Sequence, residues 1–206
     1  PGWVSVQAGG ACKLNGTKFS VAGLTTPVSG GLIDLTCASV EATTALEASG
    51  SGNSSEWGDG GSITITTTSG PVTFNGAVTA DATGYYACGG QINITAAARL
   101  TTDNAGMSAK GSQGCDGGYI NVDAGGPVFL NSALLVSSTT AADGTVGSGG
   151  YVWVRGTSVT TDGAWSANGG TGDSYGGGID LVATAGAVTM LPTNTLAADG
   201  GGTDSS

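Results

Sequence analysis

Two adjacent glycines followed by any residue, an apolar residue, any residue and a second apolar residue recur along this chain. The copies are GGLIDL at Gly30, GGSITI at Gly60, GGQINI at Gly89, GGYINV at Gly117, GGYVWV at Gly149 and GGGIDL at Gly176, at intervals of 30, 29, 28, 32 and 27 residues. A unit of this length cannot bury its own apolar face, so units that repeat it have to stack on one another. A further copy, GGACKL at Gly9, stands only 21 residues before Gly30, and this spacing predicts an abbreviated first unit.

Each full unit carries two more apolar pairs. The second pair reads Val40 and Ala42, Val72 and Phe74, Leu100 and Thr102, Val128 and Leu130, Val159 and Thr161, and Val188 and Met190. The third reads Leu46 and Ala48, Val78 and Ala80, Met107 and Ala109, Leu134 and Val136, Trp165 and Ala167, and Leu196 and Ala198. Every pair is spaced by two, the side-chain period of a β-strand, so each unit holds three short inward-facing strands. Layers stacked about 4.8 Å apart satisfy each other's backbone hydrogen bonds and share one core. The predicted fold is all-β: a single parallel β-helix, or β-solenoid, of six to seven coils of 27–32 residues with three strands per coil. The glycines fit its corners, where the chain needs positive φ or close backbone approach. Residues 1–29 are expected to form an amino-terminal strand and the abbreviated coil, 30–200 the solenoid, and 201–206 a flexible tail.

Composition narrows the function. The 40 glycines among 206 residues lie between valine, isoleucine and threonine runs, unlike collagen or a disordered linker. Fifteen acidic residues stand against five scattered basic ones, with no histidine, which argues against binding nucleic acid. No apolar stretch reaches membrane-spanning length. The sequence starts at Pro1 with neither an initiator Met nor a signal-peptide pattern, so the expectation is a processed form whose leader has been removed.

The stretch GGSITITTTSGPVTFNGAVTADATG (Gly60 to Gly84) and the GGQINITA that follows shortly after it resemble the glycine-rich right-handed β-helical repeats of large secreted bacterial surface proteins. Filamentous-haemagglutinin-like adhesins and autotransporter passengers belong to that group. The resemblance covers about residues 30 to 200 and implies a β-helix in an extracellular or cell-surface setting.

Cys88 and Cys115 precede successive glycine pairs and so occupy nearly the same corner one coil apart, a separation a disulfide accepts. Cys12 and Cys37 pair by elimination. Two disulfides imply an oxidising compartment, and the absence of CxxC spacing and of histidine argues against a metal site. Asn93 and Asn121 should stack as an outward amide ladder, and Tyr119 with Tyr151 as an aromatic one. No cofactor is implied. Asp34 and Asp180 share a repeat position but stand five coils apart, roughly 24 Å at layer spacing, too far for a glycosidase pair. With no nucleophile, base or phosphate-loop signature, the chain reads as non-enzymatic.

The strand-like PGWVSVQ at the amino end fits no copy of the frame. The expectation is that Trp3, Val4, Ser5 and Val6 complete the open layer of an identical subunit by β-augmentation, giving a head-to-tail extracellular filament. In the alternative reading, the strand caps its own chain. The alternative function is an adhesin module that contacts glycans through Tyr119, Tyr151 and Trp153.

Overall fold

The computed structural model describes residues 2–23, 27–53, 56–103 and 105–201. These contain strands and no helix. Three sheets, each of seven parallel strands, take one strand from every coil. The protein is a parallel β-solenoid of seven coils with three strands per coil. The tail expected at 201–206 lies, beyond Gly201, outside the described residues.

The first sheet stacks Trp3–Gln7, Leu32–Cys37, Ser62–Thr67, Gln91–Ala96, Tyr119–Ala124, Tyr151–Gly156 and Gly178–Ala183 in chain order. The second runs from Ala11–Leu14 to Val188–Met190, and the third from Lys18–Ser20 to Thr195–Ala197. Register is kept throughout, so like residues stack: Ile33 on Ile63, Ile92 and Ile120 in the first sheet, and Leu46 on Val78, Met107 and Leu134 in the third. These columns are buried and form one continuous core. A one-residue slip would turn each column out to solvent, which is why the period-two pattern fixes the register.

Three inward threonines interrupt the apolar columns, and all are satisfied: Thr67 donates its hydroxyl to the Gly70 carbonyl at 2.7 Å. Thr102 shares a hydrogen bond with Ser132 at 3.0 Å, and Thr161 accepts one from the Asn194 carboxamide. Trp165, 1% exposed, donates its indole N–H to the Ser132 carbonyl at 3.1 Å. Buried polar groups with partners cost little, whereas the same groups unpaired would each cost about 1–3 kcal/mol.

The glycine pairs close the coils. The second glycine of a pair donates its N–H to the last inward carbonyl of the preceding coil, as in Gly90 to Ala80 at 2.8 Å and Gly118 to Ala109 at 2.7 Å. This bond draws the strands so close that a Cβ on Gly117 would lie 1.7 Å from the Val136 carbonyl oxygen. None of the pair glycines has positive φ, so close approach is the reason for them.

The first coil differs from the expectation. It is complete, with Trp3–Gln7 paired to Leu32–Cys37, Ala11–Leu14 to Ser39–Ala42, and Lys18–Ser20 to Ala45–Glu47. GGACKL therefore lies in the second sheet, and its Gly9 and Gly10 face open space. The motif misled because, among the described residues, nothing packs on the outer side of this coil as Gly2 packs on Gly31. The single Gly2, whose Cβ position lies at an ordinary 3.7 Å from Val21, suffices at the corner, while Gly9 and Gly10 match the frame by coincidence. The strand Trp3–Val6 is thus the first layer of its own chain rather than a free donor strand.

Candidate functional site: the open ends and the outward face of the first sheet

Six interlayer contacts per sheet leave two end layers with one neighbour each. At the carboxyl-terminal layer the inward pattern continues into solvent: Val188 is 42% exposed, Met190 49% and Leu196 39%. Ile179 and Leu181 are half-buried against the core. At the amino-terminal layer Val4, Val6, Leu14 and Phe19 are half-buried in the matching columns. Among the described residues, the first and last layers therefore each show an apolar triangle bordered by three strands that pair on one side, an arrangement that favours pairing with another strand layer. Trp3–Gln7 is a strand, as its alternation predicts, and Val188, Met190 and Leu196, from the last inward pairs of the repeat, form the opposite rim.

The ends also differ in charge. Residues 1–29 carry Lys13 and Lys18 and no acidic residue, whereas residues 176–201 carry Asp180 and Asp199 and no basic one. That is +2 against −2. Lys13 bridges to Glu41 at 3.2 Å and Lys18 to Glu47, each one coil away. Lys110 with Asp81 and Arg155 with Asp123 repeat the same cross-layer pairing at 3.6 and 3.5 Å. These ion pairs are exposed and worth little individually. Several carboxylates serve the backbone instead: Asp59 accepts the Cys88 N–H at 3.0 Å, Asp81 that of Lys110 at 2.7 Å, and Asp116 that of Ser148 at 2.7 Å. On a surface loop, Asp143 accepts from the Thr145 amide and the Tyr86 hydroxyl, and both bonds hold its carboxyl below the ordinary 3.8.

The cysteines lie in two cross-layer pairs. Cys12 joins Cys37 with a Cα separation of 5.9 Å, linking the second sheet of coil 1 to the first sheet of coil 2. Cys88 joins Cys115 at 4.8 Å between the corners of coils 3 and 4. Two disulfides are the state of an oxidising environment. Among the described residues no group of three or more His, Cys, Asp or Glu could hold a metal ion, and no helix is long and apolar enough to cross a membrane.

The outward face of the first sheet brings together the remaining sequence-picked residues. Asn93 opposes Asn121, and Tyr119 opposes Tyr151, in adjacent strands. Among the described residues the carboxamides of Asn93 and Asn121 make no hydrogen bond, so the column is a register match without an amide chain. Nor do the two tyrosine rings stack: among the described residues the ring contact found is that of Tyr85 with Tyr86. Tyr151 instead leans onto Gly178, where an added Cβ would meet its ring at 2.4 Å, and its hydroxyl donates to the Asp180 carboxylate. Trp153 follows Asn121 in the same outward column, half-buried. A groove of about 440 Å³ opens among these side chains.

The class that the fold defines is a disulfide-linked parallel β-solenoid. Compared with protein-family models, curated proteins and solved structures, the chain matches none of them. Of the expected resemblance to bacterial surface β-helices, the structure shows the parallel β-solenoid, and no family match accompanies it.

Proposed function

We propose that this chain is a non-catalytic structural subunit of an extracellular filament or surface fibre, assembled head to tail by stacking the last layer of one copy on the first layer of the next. The observation that carries the proposal is the match of the two end layers. Continuing the internal register across the junction places Val4 on Ile179, Val6 on Leu181, Cys12 on Val188, Leu14 on Met190 and Phe19 on Leu196. Every inward position meets an apolar partner, and the three exposed strand edges find partners at once. A heterologous contact of this kind does not close on itself, so it elongates.

The junction register supplies the test. Gln7 and Val182 share an outward column, so in a filament Gln7 of one copy lies beside Val182 of the next at about 4.8 Å, within disulfide reach. The Gln7→Cys/Val182→Cys variant, oxidised at rising protein concentration, is expected to give a ladder of covalent oligomers on denaturing gels, and Leu196→Asp should abolish it. Fibres seen by electron microscopy should disappear with the same substitution. A chain that stays monomeric at all concentrations, or cross-links equally well with Leu196→Asp, would refute the assembly.

A further inference from the structure

We infer that the groove on the outward face of the first sheet, across coils 4 to 6, is a binding site for a neutral glycan. It is lined by Gln91, Asn93, Tyr119, Asn121, Tyr151 and Trp153. This inference is independent of assembly, because the groove lies on a side face that end-to-end stacking leaves open.

Three features give the groove its chemistry. The first is aromatic surface that the fold leaves uncovered. Tyr119 is 56% exposed and Tyr151 36% exposed, and the two rings stand apart although their strands are adjacent. Tyr151 is tied down by Asp180 and seated on Gly178, the position in its column that bears no side chain. The ring is thereby fixed before any ligand arrives, which reduces the entropy lost on binding. The second is polarity between the rings: Gln91 and Asn121 are exposed and Asn93 is half-buried, and among the described residues their side chains bond no protein group, so each solvent-facing carboxamide can offer a ligand two donors and a two-lone-pair acceptor. A purely apolar partner would desolvate these groups without compensation. A pyranose ring suits both features, because its C–H face packs on an aromatic ring while its hydroxyls donate to and accept from carboxamides.

The third feature is charge. Asp180 stands at the rim, and Arg155, the cation on the same strand as Tyr151 and Trp153, is engaged by Asp123 at 3.5 Å. With no cation free at the groove and a chain charge of −10, an acidic sugar is disfavoured. Tyr119 and Tyr151 stand one layer apart along the solenoid axis, about 4.8 Å, and Trp153 lies two residues along the same strand as Tyr151, so the aromatic surface matches one or two sugar rings.

The test is calorimetric titration of the full chain with cellohexaose and chitohexaose as neutral probes and a galacturonate hexamer as the acidic one. At least one neutral probe is expected to bind saturably. Tyr119→Ala and Trp153→Ala should each weaken that binding at least tenfold while far-UV circular dichroism and melting temperature stay at the parent values. Tyr175→Ala, on a turn and 81% exposed, should leave it unchanged. Should either groove variant unfold, Tyr119→Phe and Asn121→Ala take its place, with retained affinity expected for the first and a several-fold loss for the second. Absence of binding by both neutral probes at millimolar concentration overturns the inference. So does tighter binding of the galacturonate hexamer, or neutral binding that survives the groove substitutions.

Discussion

Trp165 and Trp153 stand twelve residues apart in the same coil, and register alone sends one into the core and the other onto the surface. Trp165→Ala removes an indole that is 1% exposed, together with the hydrogen bond to the Ser132 carbonyl. Aromatic-to-alanine changes in cores cost about 3–5 kcal/mol, and the freed carbonyl adds about 1 kcal/mol. Its outer neighbour in the column is Leu196, itself 39% exposed, so water can reach the vacated space and hydrate the freed carbonyl; that cancels the carbonyl's share and leaves the loss near the lower end of the truncation range, about 3–4 kcal/mol. For a chain of this size that corresponds to a fall in melting temperature of roughly 6–16 °C. Trp153→Ala, on the outward face, should cost less than about 1 kcal/mol. Guanidinium unfolding followed by far-UV circular dichroism would measure both, with the m-value checked because repeat arrays can depart from two-state behaviour. Equal losses from the two substitutions would refute the register argument, and with it the inward and outward assignments along the third and first sheets.

Glycine pairs of identical sequence should respond in opposite ways. Gly117→Ala, whose Cβ would strike the Val136 carbonyl, should destabilise the chain by about 2 kcal/mol or more, whereas Gly9→Ala, facing open space, should be neutral or stabilising by up to about 1 kcal/mol in thermal melts. Replacing Cys12 and Cys37 together by serine opens a 25-residue separation and should cost about 3 kcal/mol, with hydrogen-exchange protection lost first in coil 1. The Asp143 carboxyl should titrate below 3.8 by NMR and move upward in Tyr86→Phe. Because its folded-state value is depressed, its contribution to loop stability is present above the ordinary carboxylate value and is lost as pH falls through the folded one. A Tyr86→Phe titration unchanged from the parent would refute the bond from the Tyr86 hydroxyl.

Much of the fold was legible in the residues themselves. Apolar pairs spaced by two, three to a unit and tied to a recurring glycine pair, leave parallel stacking as the arrangement that buries every face and satisfies every backbone group. Because each layer contacts its neighbours alone, the local pattern of one unit carries most of the information about the whole. The ends were harder to read for the same reason: a terminal coil lacks one neighbour, so the constraint that places glycine at an inner corner is relaxed there, and Gly2 with WVSV escaped a motif that Gly9 and Gly10 met by chance. The surface was legible only as register. The sequence by itself determined that Tyr119 and Tyr151 share a column, as do Asn93 and Asn121, because strand spacing is enough to place them. The tertiary structure decided what those columns do. Tyr151 falls away from Tyr119 because Gly178 in the next coil offers it a seat and Asp180 a partner, and this leaves the carboxamides uncovered. Side-chain direction on an outward face depends on neighbours about 30 residues away in the chain, which no local pattern specifies.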